Sequence, residues 1–197
     1  DLDAAETALT TEGLRNVLLY HVLGAEVKAA DVTTGYVTTS SVNADNNGLS
    51  AFINAANGVR LNNRSDVIET DIMASNGVAH VIDSVILPIN TVELVAANPM
   101  YSSLATALGV ADGNLLSVLS DENASYTVFA PDNDAFQAVI DSTPNVNNLT
   151  ELANTLGTDV LATVLLYHVV SGEVRAEAVT AGSVTTAASD GMGGNLS

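Results

Sequence analysis

Twenty-three aspartates and glutamates and three histidines could move protons or hold a metal here, against five lysines and arginines and no cysteine. The histidines are His21, His80 and His168, and no two lie four residues apart. One helical face therefore cannot offer two imidazoles, and thiolate ligation is excluded, so no metal and no cofactor are expected. Asp132, Asn133 and Asp134 imitate the start of a calcium loop, but its glycine and terminal glutamate do not follow. The expectation there is a helix start whose acid satisfies free amides. His80 alternates with Ala79 and Val81, the pattern of a strand, and is read as an imidazole that bonds backbone. Ser117 and Ser120 lack the glycine pattern of a nucleophile elbow, and no glycine-rich phosphate loop is present. Paired carboxylates for glycoside hydrolysis meet only in space, so the sequence leaves them open. The reading is a non-catalytic protein.

Four Asn-x-Ser/Thr acceptors stand at Asn63, Asn123, Asn148 and Asn195. In a secreted eukaryotic protein each would be a surface glycan site, although a chain rich in Asn, Ser and Thr also generates such triplets by chance.

A formal charge of −18 over 197 residues, with 47% hydrophobic and 4% aromatic residues, describes a globular chain with an aliphatic core. Its surface repels nucleic acid and anionic lipid, and suits cations, high salt or basic partners. No run reaches the ~18 apolar residues of a membrane span, and no transmembrane segment is expected. Residue 1 opens no basic stretch with an apolar signal core; a signal was removed, lies upstream or does not exist.

The elements that position these residues come from a repeat. VLLYHVLGAEVKAADVTTGYVTT at residues 17–39 returns as VLLYHVVSGEVRAEAVTAGSVTT at residues 164–186, an offset of 147 with no gap. Across the fifty aligned pairs twenty-one are identical, fifteen of them inside this window. A period of 147 residues is the size of a domain rather than of a solenoid unit. His21 and His168 thus occupy one repeat position.

Apolar spacing from Leu2 onward predicts a helix ending near His21, with Thr10 or Thr11 as its cap. Strands are predicted over residues 26–29, 35–42, 49–55, 59–62, 67–73 and 78–87, with Asn47-Gly48 as a two-residue hairpin turn and Pro88 closing the sheet. Beyond it the period becomes helical through Val92, Leu94, Val95, Leu104 and Leu108, broken at Asn98-Pro99. A helix over residues 115–119, a strand over 126–130, a helix through Phe136 and Ile140, and helices over 149–168 follow. Strands are then expected from Glu173 to the end.

TVFAPDNDAF at residues 127–136, LLYHVV at 165–170 and NGVAHVIDSVILP at 76–88 resemble the three signature segments of the fasciclin (FAS1) family, in order and spacing. TVELVAANPMYSSLATALGVA at 91–111 resembles the helical entry of a following domain. The resemblance implies an α+β fold, a wedge of two small β-sheets packed together with several helices along one edge. It implies tandem extracellular modules of adhesion and matrix proteins, whose partners are other repeats, copies of the chain, or an extracellular protein or polysaccharide. It also divides the chain: residues 1–89 as the closing part of one domain, and 90–197 as the opening part of the next. Half-domains would leave Val78, Val81, Ile82 and Val85 in water, so the expectation is an excerpt of a longer array or exchange between copies.

Two site readings rest on the same resemblance. Tyr20-His21 and Tyr167-His168 match the family's Tyr-His motif, associated with cell-receptor binding in animal members; the alternative is packing where helix meets sheet. Asp71-Ile72 is similar to an Asp-Ile motif tied to integrin recognition, where Asp71 would supply the metal-binding acid; the alternative is a solvated acid on a strand. The function read is an extracellular or cell-surface adhesion or matrix module, with a surface-filament subunit second and a carbohydrate-binding or carbohydrate-acting domain third.

Overall fold

The structure, a computed structural model, describes residues 10–111, 115–121 and 124–188. The chain divides into two compact units, Asp1–Ile89 and Asn90–Ser197. Among the described residues there are seven α-helices and two small antiparallel sheets, an α+β fold.

The first unit is one helix against a five-stranded meander. Helix α1 (Thr11–Tyr20) starts where the Thr10 hydroxyl oxygen accepts from the Gly13 N–H at 3.1 Å, the cap the sequence predicts. Residues 2–9 of the expected helix lie outside the described residues. The strands β1 (Gly35–Val42), β2 (Gly48–Asn54), β3 (Arg60–Leu61), β4 (Ser65–Ala74) and β5 (Gly77–Ile82) pair in chain order. The buried core here is Tyr20, Ala51 and Ile86, with Val37, Leu49, Leu61 and Ile82 packed against it. Phe52 is also fully buried and meets the Tyr36 ring at 5.2 Å.

Three expectations for this unit are corrected. Residues 26–29 form no strand, and Ala29–Asp31 is a 3-10 turn. Side chains from β4 and β5, described below, take the bonds a neighbouring strand would make. The β1–β2 connection is not a two-residue turn at Asn47-Gly48. It spans residues 43–47, with Asn46 left-handed at φ 62 and the Asn43 Oδ1 accepting from the Asp45 and Asn47 N–H groups at 3.1 and 2.8 Å. Gly48 is instead the first strand residue, where a Cβ would lie 2.5 Å from the Thr38 methyl. The strand predicted to run to Leu87 stops at Ile82, because the Asp83 carboxylate takes the next bond itself, accepting from the Asp66 N–H at 2.9 Å.

The second unit is helical. Helices α2 (Thr91–Ala96) and α3 (Ser102–Val110) are separated at Asn98-Pro99 as predicted, by a 3-10 turn at Pro99–Tyr101. They are followed by α4 (Leu115–Leu119), β6 (Tyr126–Val128), α5 (Asn133–Ser142), α6 (Leu149–Leu156), α7 (Thr158–Tyr167) and β7 (Val169–Ser171). Gly157, at φ 89, breaks α6 from α7. Leu104, Leu108, Leu115, Leu119, Leu161 and Leu165 form the larger core of the molecule, closed by Phe136 and Val169. Strand β6 ends at Val128 rather than Ala130. Beyond Glu173 the expected strands reduce to a 3-10 turn at Ala176–Ala178 and one bridge, Val170 to Thr186; residues 189–197 lie outside the described residues.

Candidate functional site

Tyr20 and His21 stand at the end of helix α1 and reach different segments of the first unit. Tyr20 is 1% exposed; its hydroxyl donates to the Ser50 carbonyl at 2.8 Å and accepts from the Asn62 amide at 3.1 Å. Asn62 sits left-handed at φ 49, and its other end accepts from the Phe52 N–H at 2.9 Å. A buried amide needs a partner at each end, and Asn62 has one at its oxygen and one at its nitrogen. His21 donates from Nδ1 to the Val17 carbonyl at 2.7 Å, because a carbonyl can only accept. That leaves Nε2 to accept from the Ile86 N–H at 3.2 Å. The pair thereby pins the helix end to the start of β2, to the β3–β4 turn and to the segment after β5.

Tyr167 and His168 end helix α7 in a different setting. His168 repeats the local bond, Nδ1 to the Val164 carbonyl at 2.8 Å, yet Tyr167 is 47% exposed. The same tyrosine of the repeat thus holds a core position in one unit and a surface position in the other.

Asp71 and His80 form a second constellation, on the β4–β5 ribbon. Two register shifts interrupt that pairing, and Asp71 lies within the second, between Glu69 and Ile72, at φ 59. The distortion turns its N–H to the His80 Nδ1 at 3.3 Å and its carboxylate to the Ala29 N–H at 3.0 Å. With Nδ1 accepting, the His80 Nε2 carries the proton and donates to the Val27 carbonyl at 2.9 Å. Asp71 thus caps the 3-10 turn while remaining exposed, and Ile72 is exposed beside it. Beneath the ribbon, Tyr20, Leu23, Val27, Val37, Ile53 and His80 line part of a groove of about 380 Å³. Val78 and Ile82 face this groove, whereas Val81 and Val85 are exposed.

Of the glycan acceptors, Asn63 is exposed at φ 53 between the buried Asn62 and Arg64. Asn148 is exposed but committed to capping helix α6: its Oδ1 accepts from the Glu151 N–H and its Nδ2 donates to the Glu151 carboxylate, both at 2.9 Å. Asn123 and Asn195 lie outside the described residues.

Three residues whose roles sequence reasoning did not foresee carry much of the geometry. Asn62 was legible only as a turn residue. Asn133 accepts from the Ser103 N–H at 2.9 Å and donates to the Pro99 carbonyl at 2.9 Å, tying α5 to the start of α3. Its neighbour Asp132 is the cap, accepting from the Ala135 N–H at 2.8 Å. Asp83 accepts from the Asp66 N–H and from the buried Ser65 hydroxyl at 3.0 Å, bonds that hold its carboxyl below the usual aspartate range. Among the described residues no three His, Asp or Glu side chains come together as a metal site, and no helix is long and apolar enough to cross a membrane.

The Fasciclin domain family model matches residues 2–88 and 99–196, and the chain belongs to that family. It is 27% identical over 172 residues to transforming growth factor-beta-induced protein ig-h3 of Sus scrofa, covering 86% of this chain and 23% of that protein. It is 31% identical over 141 residues to stabilin-2 of Rattus norvegicus, covering 64% of this chain and 10% of that one. Protein sll1483 of Synechocystis is 39% identical over 101 residues, 51% of this chain and 52% of that protein. The chain therefore spans about a quarter, a tenth and a half of these relatives. A FAS1 domain pair from the insect cell adhesion molecule Fasciclin I aligns with a TM-score of 0.44 at 15% identity, covering 83% of this chain and 57% of that one.

Proposed function

We propose that this chain is part of an extracellular or cell-surface adhesion or matrix-type module, one of a tandem of fasciclin repeats, which binds partners and catalyses nothing. The observation that carries the reading is an exposed face of the β4–β5 ribbon. Ile72 stands opposite Ala79, and Ala79 is two residues from Val81, so the exposed Ile72 and Val81 share one face of the ribbon. A sheet edge that keeps apolar side chains in water is suited to strand or side-chain contact with another protein. Asp71 joins this surface as a rim acid, whereas Tyr20 is spent on the core. The partner is an extracellular protein or polysaccharide, or another fasciclin repeat.

Attachment of cells to the immobilised chain tests this, with Ile72→Ser and Val81→Ser together as the variant. Both side chains are solvent-facing, so the fold should persist by circular dichroism while attachment falls severalfold. Attachment that is unchanged in the folded variant would remove the ribbon from the binding surface. The filament-subunit reading has its own support in the apolar helix faces that each unit leaves uncovered. Sedimentation of the chain into concentration-dependent oligomers would favour it over adhesion to a foreign partner.

A further inference from the structure

Asparagine followed by glycine is able to modify itself, and the pair occurs at Asn47-Gly48, Asn57-Gly58 and Asn76-Gly77, all in the first unit. The glycine nitrogen, which no side chain of its own residue shields, attacks the asparagine Cγ. The N–Cγ bond forms, the Cγ–Nδ2 bond breaks, and ammonia leaves with the proton of the glycine amide. Water then opens the cyclic imide at either carbonyl. One opening gives aspartate; the other gives isoaspartate, whose main chain runs through Cβ and Cγ. Nothing is oxidised or reduced, and water is the sole co-reactant. The sequence alone does not rank the three pairs. The fold does, because a glycine N–H held in a β ladder must first be released before its nitrogen can attack.

Two of the three glycines are strand residues. Gly48 opens β2 and pairs with Val42. Asn47 before it is held on both sides: its N–H donates to the Asn43 Oδ1 and its carbonyl accepts from the Asn43 N–H, each at 2.8 Å. Gly77 opens β5 and pairs with Ala74, closing a two-residue turn at Ser75-Asn76. Gly58 differs. It lies in the connection from β2 to β3, outside every strand, and its one pairing among the described residues is a bridge to Ala56 across the tip. That connection is fastened on either side of the tip. The Ala55 N–H donates to the Thr34 hydroxyl at 2.9 Å and the Ala56 N–H to the Asn54 Oδ1 at 3.0 Å, while the Val59 carbonyl accepts from the Val67 N–H at 2.8 Å. Asn57 and Gly58 are both exposed. Gly58 is left-handed at φ 87, and a Cβ placed on it would meet nothing within 4 Å, so no packed group has to move for the ring to close.

We propose that Asn57-Gly58 is a self-modification site, at which the folded chain converts its own asparagine to isoaspartate and aspartate in water, while the ladder holds Asn47 and Asn76 back. Either product adds one negative charge to a chain of formal charge −18. Isoaspartate also lengthens the β2–β3 connection by one backbone carbon, just outside the pair of Asn54 with Arg60. The proposal goes beyond the adhesion reading and holds whether or not the ribbon binds a partner.

The test ages the intact chain in heavy-oxygen water at mildly alkaline pH, with peptide mapping of label uptake at each asparagine. Asn57 should take up label at least about fivefold faster than Asn47 or Asn76, the effect of one hydrogen bond that must be broken first. Its larger product should be isoaspartate, recognised because an aspartate-directed protease does not cut there. In denaturant, where no ladder exists, the three rates should converge. Gly58→Ala should slow Asn57 and leave Asn47 and Asn76 at their wild-type rates, which also reports that the variant is folded. The wild-type ratio decides the proposal even if that variant unfolds. Equal rates at the three pairs in the folded chain would overturn it, as would label at Asn76 ahead of Asn57. A ratio that survives unchanged in denaturant would overturn it too, because flanking residues rather than the fold would then set the rate.

Discussion

Helix α1 and helix α7 run out through the same six residues, VLLYHV, and turn opposite sides of them inward. In the first unit Val17 and Tyr20 are buried against the five-stranded sheet while Leu18 and Val22 face water. In the second unit Leu165 and Val169 are buried under helices while Val164 and Tyr167 face water. A helix with apolar residues on every side is made to be covered all round, and each unit covers only part of it. The chemistry of these side chains is therefore not fixed by the motif; it is set by which elements lie against each face. Tyr20 is a core residue with its hydroxyl committed, and Tyr167 is a surface residue, although the strings around them match.

The largest test removes one leucine from each helix. Leu165→Ala should cost about 2–5 kcal/mol, since a buried leucine loses its transfer energy and leaves a cavity. The matching Leu18→Ala should stay within about 0.5 kcal/mol, the range of surface substitutions. Denaturant unfolding read with tyrosine fluorescence and hydrogen exchange assigns each loss to its unit. Equal costs would mean that something covers Leu18 in solution, and the contrast between the two helices would collapse.

Next in size is the phenol. Tyr20→Phe removes the donor to Ser50 and leaves the Asn62 amide short of an acceptor, a loss of about 1–3 kcal/mol for a buried polar group left unpaired. Tyr167→Phe should change stability by less than about 0.5 kcal/mol. A penalty at Tyr167 as large as that at Tyr20 would break the contrast between a core phenol and a surface one.

Much of this was legible in the sequence, and the rest shows where sequence reasoning runs out. Period and turn residues located β1, the break at Asn98-Pro99 and the cap at Asp132, because each depends on a few adjacent side chains. The family resemblance came from strings such as NGVAHVIDSVILP, in which the spacing itself is the signal. Three features depended on contacts between residues far apart in the chain, and none was visible. Residues 26–29 have strand composition but are held by Asp71 and His80, more than forty residues away. Strand β5 stops at Ile82 because Asp83 bonds Asp66 and Ser65. Asn62 looks like a turn residue until Tyr20 and Phe52 are placed on either side of its amide. The Tyr-His pair was legible as a motif, but the opposite exposures of Tyr20 and Tyr167 were not, since identical strings cannot encode different neighbours.

The histidines sharpen the comparison by about 1 kcal/mol. Both cap the last helical turn through Nδ1, but only His21 also accepts from a distant amide, that of Ile86. His21→Ala should therefore cost roughly 1 kcal/mol more than His168→Ala, the net value of one further hydrogen bond. His21→Gln should restore part of the difference, because a glutamine carbonyl can still accept. If both alanine variants melt alike, the bond to Ile86 contributes nothing in solution.

The smallest expected effect is a slope with pH, and it compares a long-range carboxylate with a local one. Asp83 in the first unit is held below its ordinary value of 3.8, chiefly by the Asp66 N–H and then by the Ser65 hydroxyl. Glu151 in the second is held below 4.5, chiefly by the Asn147 N–H and then by the Asn147 side-chain amide. A carboxyl whose folded value is depressed binds protons more weakly when folded. Its contribution is present above the unfolded value, about 4, and is lost as pH falls through the folded one. Both units should therefore loosen in acid. Their consequences differ in reach: Asp83 closes the sheet across seventeen residues, while Glu151 bonds residues three and four before it. Asp83→Asn should flatten the acid slope of the first unit and also speed exchange at the Asp66 amide near neutrality, because an amide oxygen is a weaker acceptor than a carboxylate. Glu151→Gln should flatten the slope of the second unit with little change at neutral pH, since Asn148 still offers its Oδ1 to the first turn. Hydrogen exchange from about pH 6 to about pH 4, corrected for its intrinsic pH dependence, reads both units in one sample. An Asp83→Asn chain that keeps the wild-type slope in the first unit would place the acid sensitivity elsewhere.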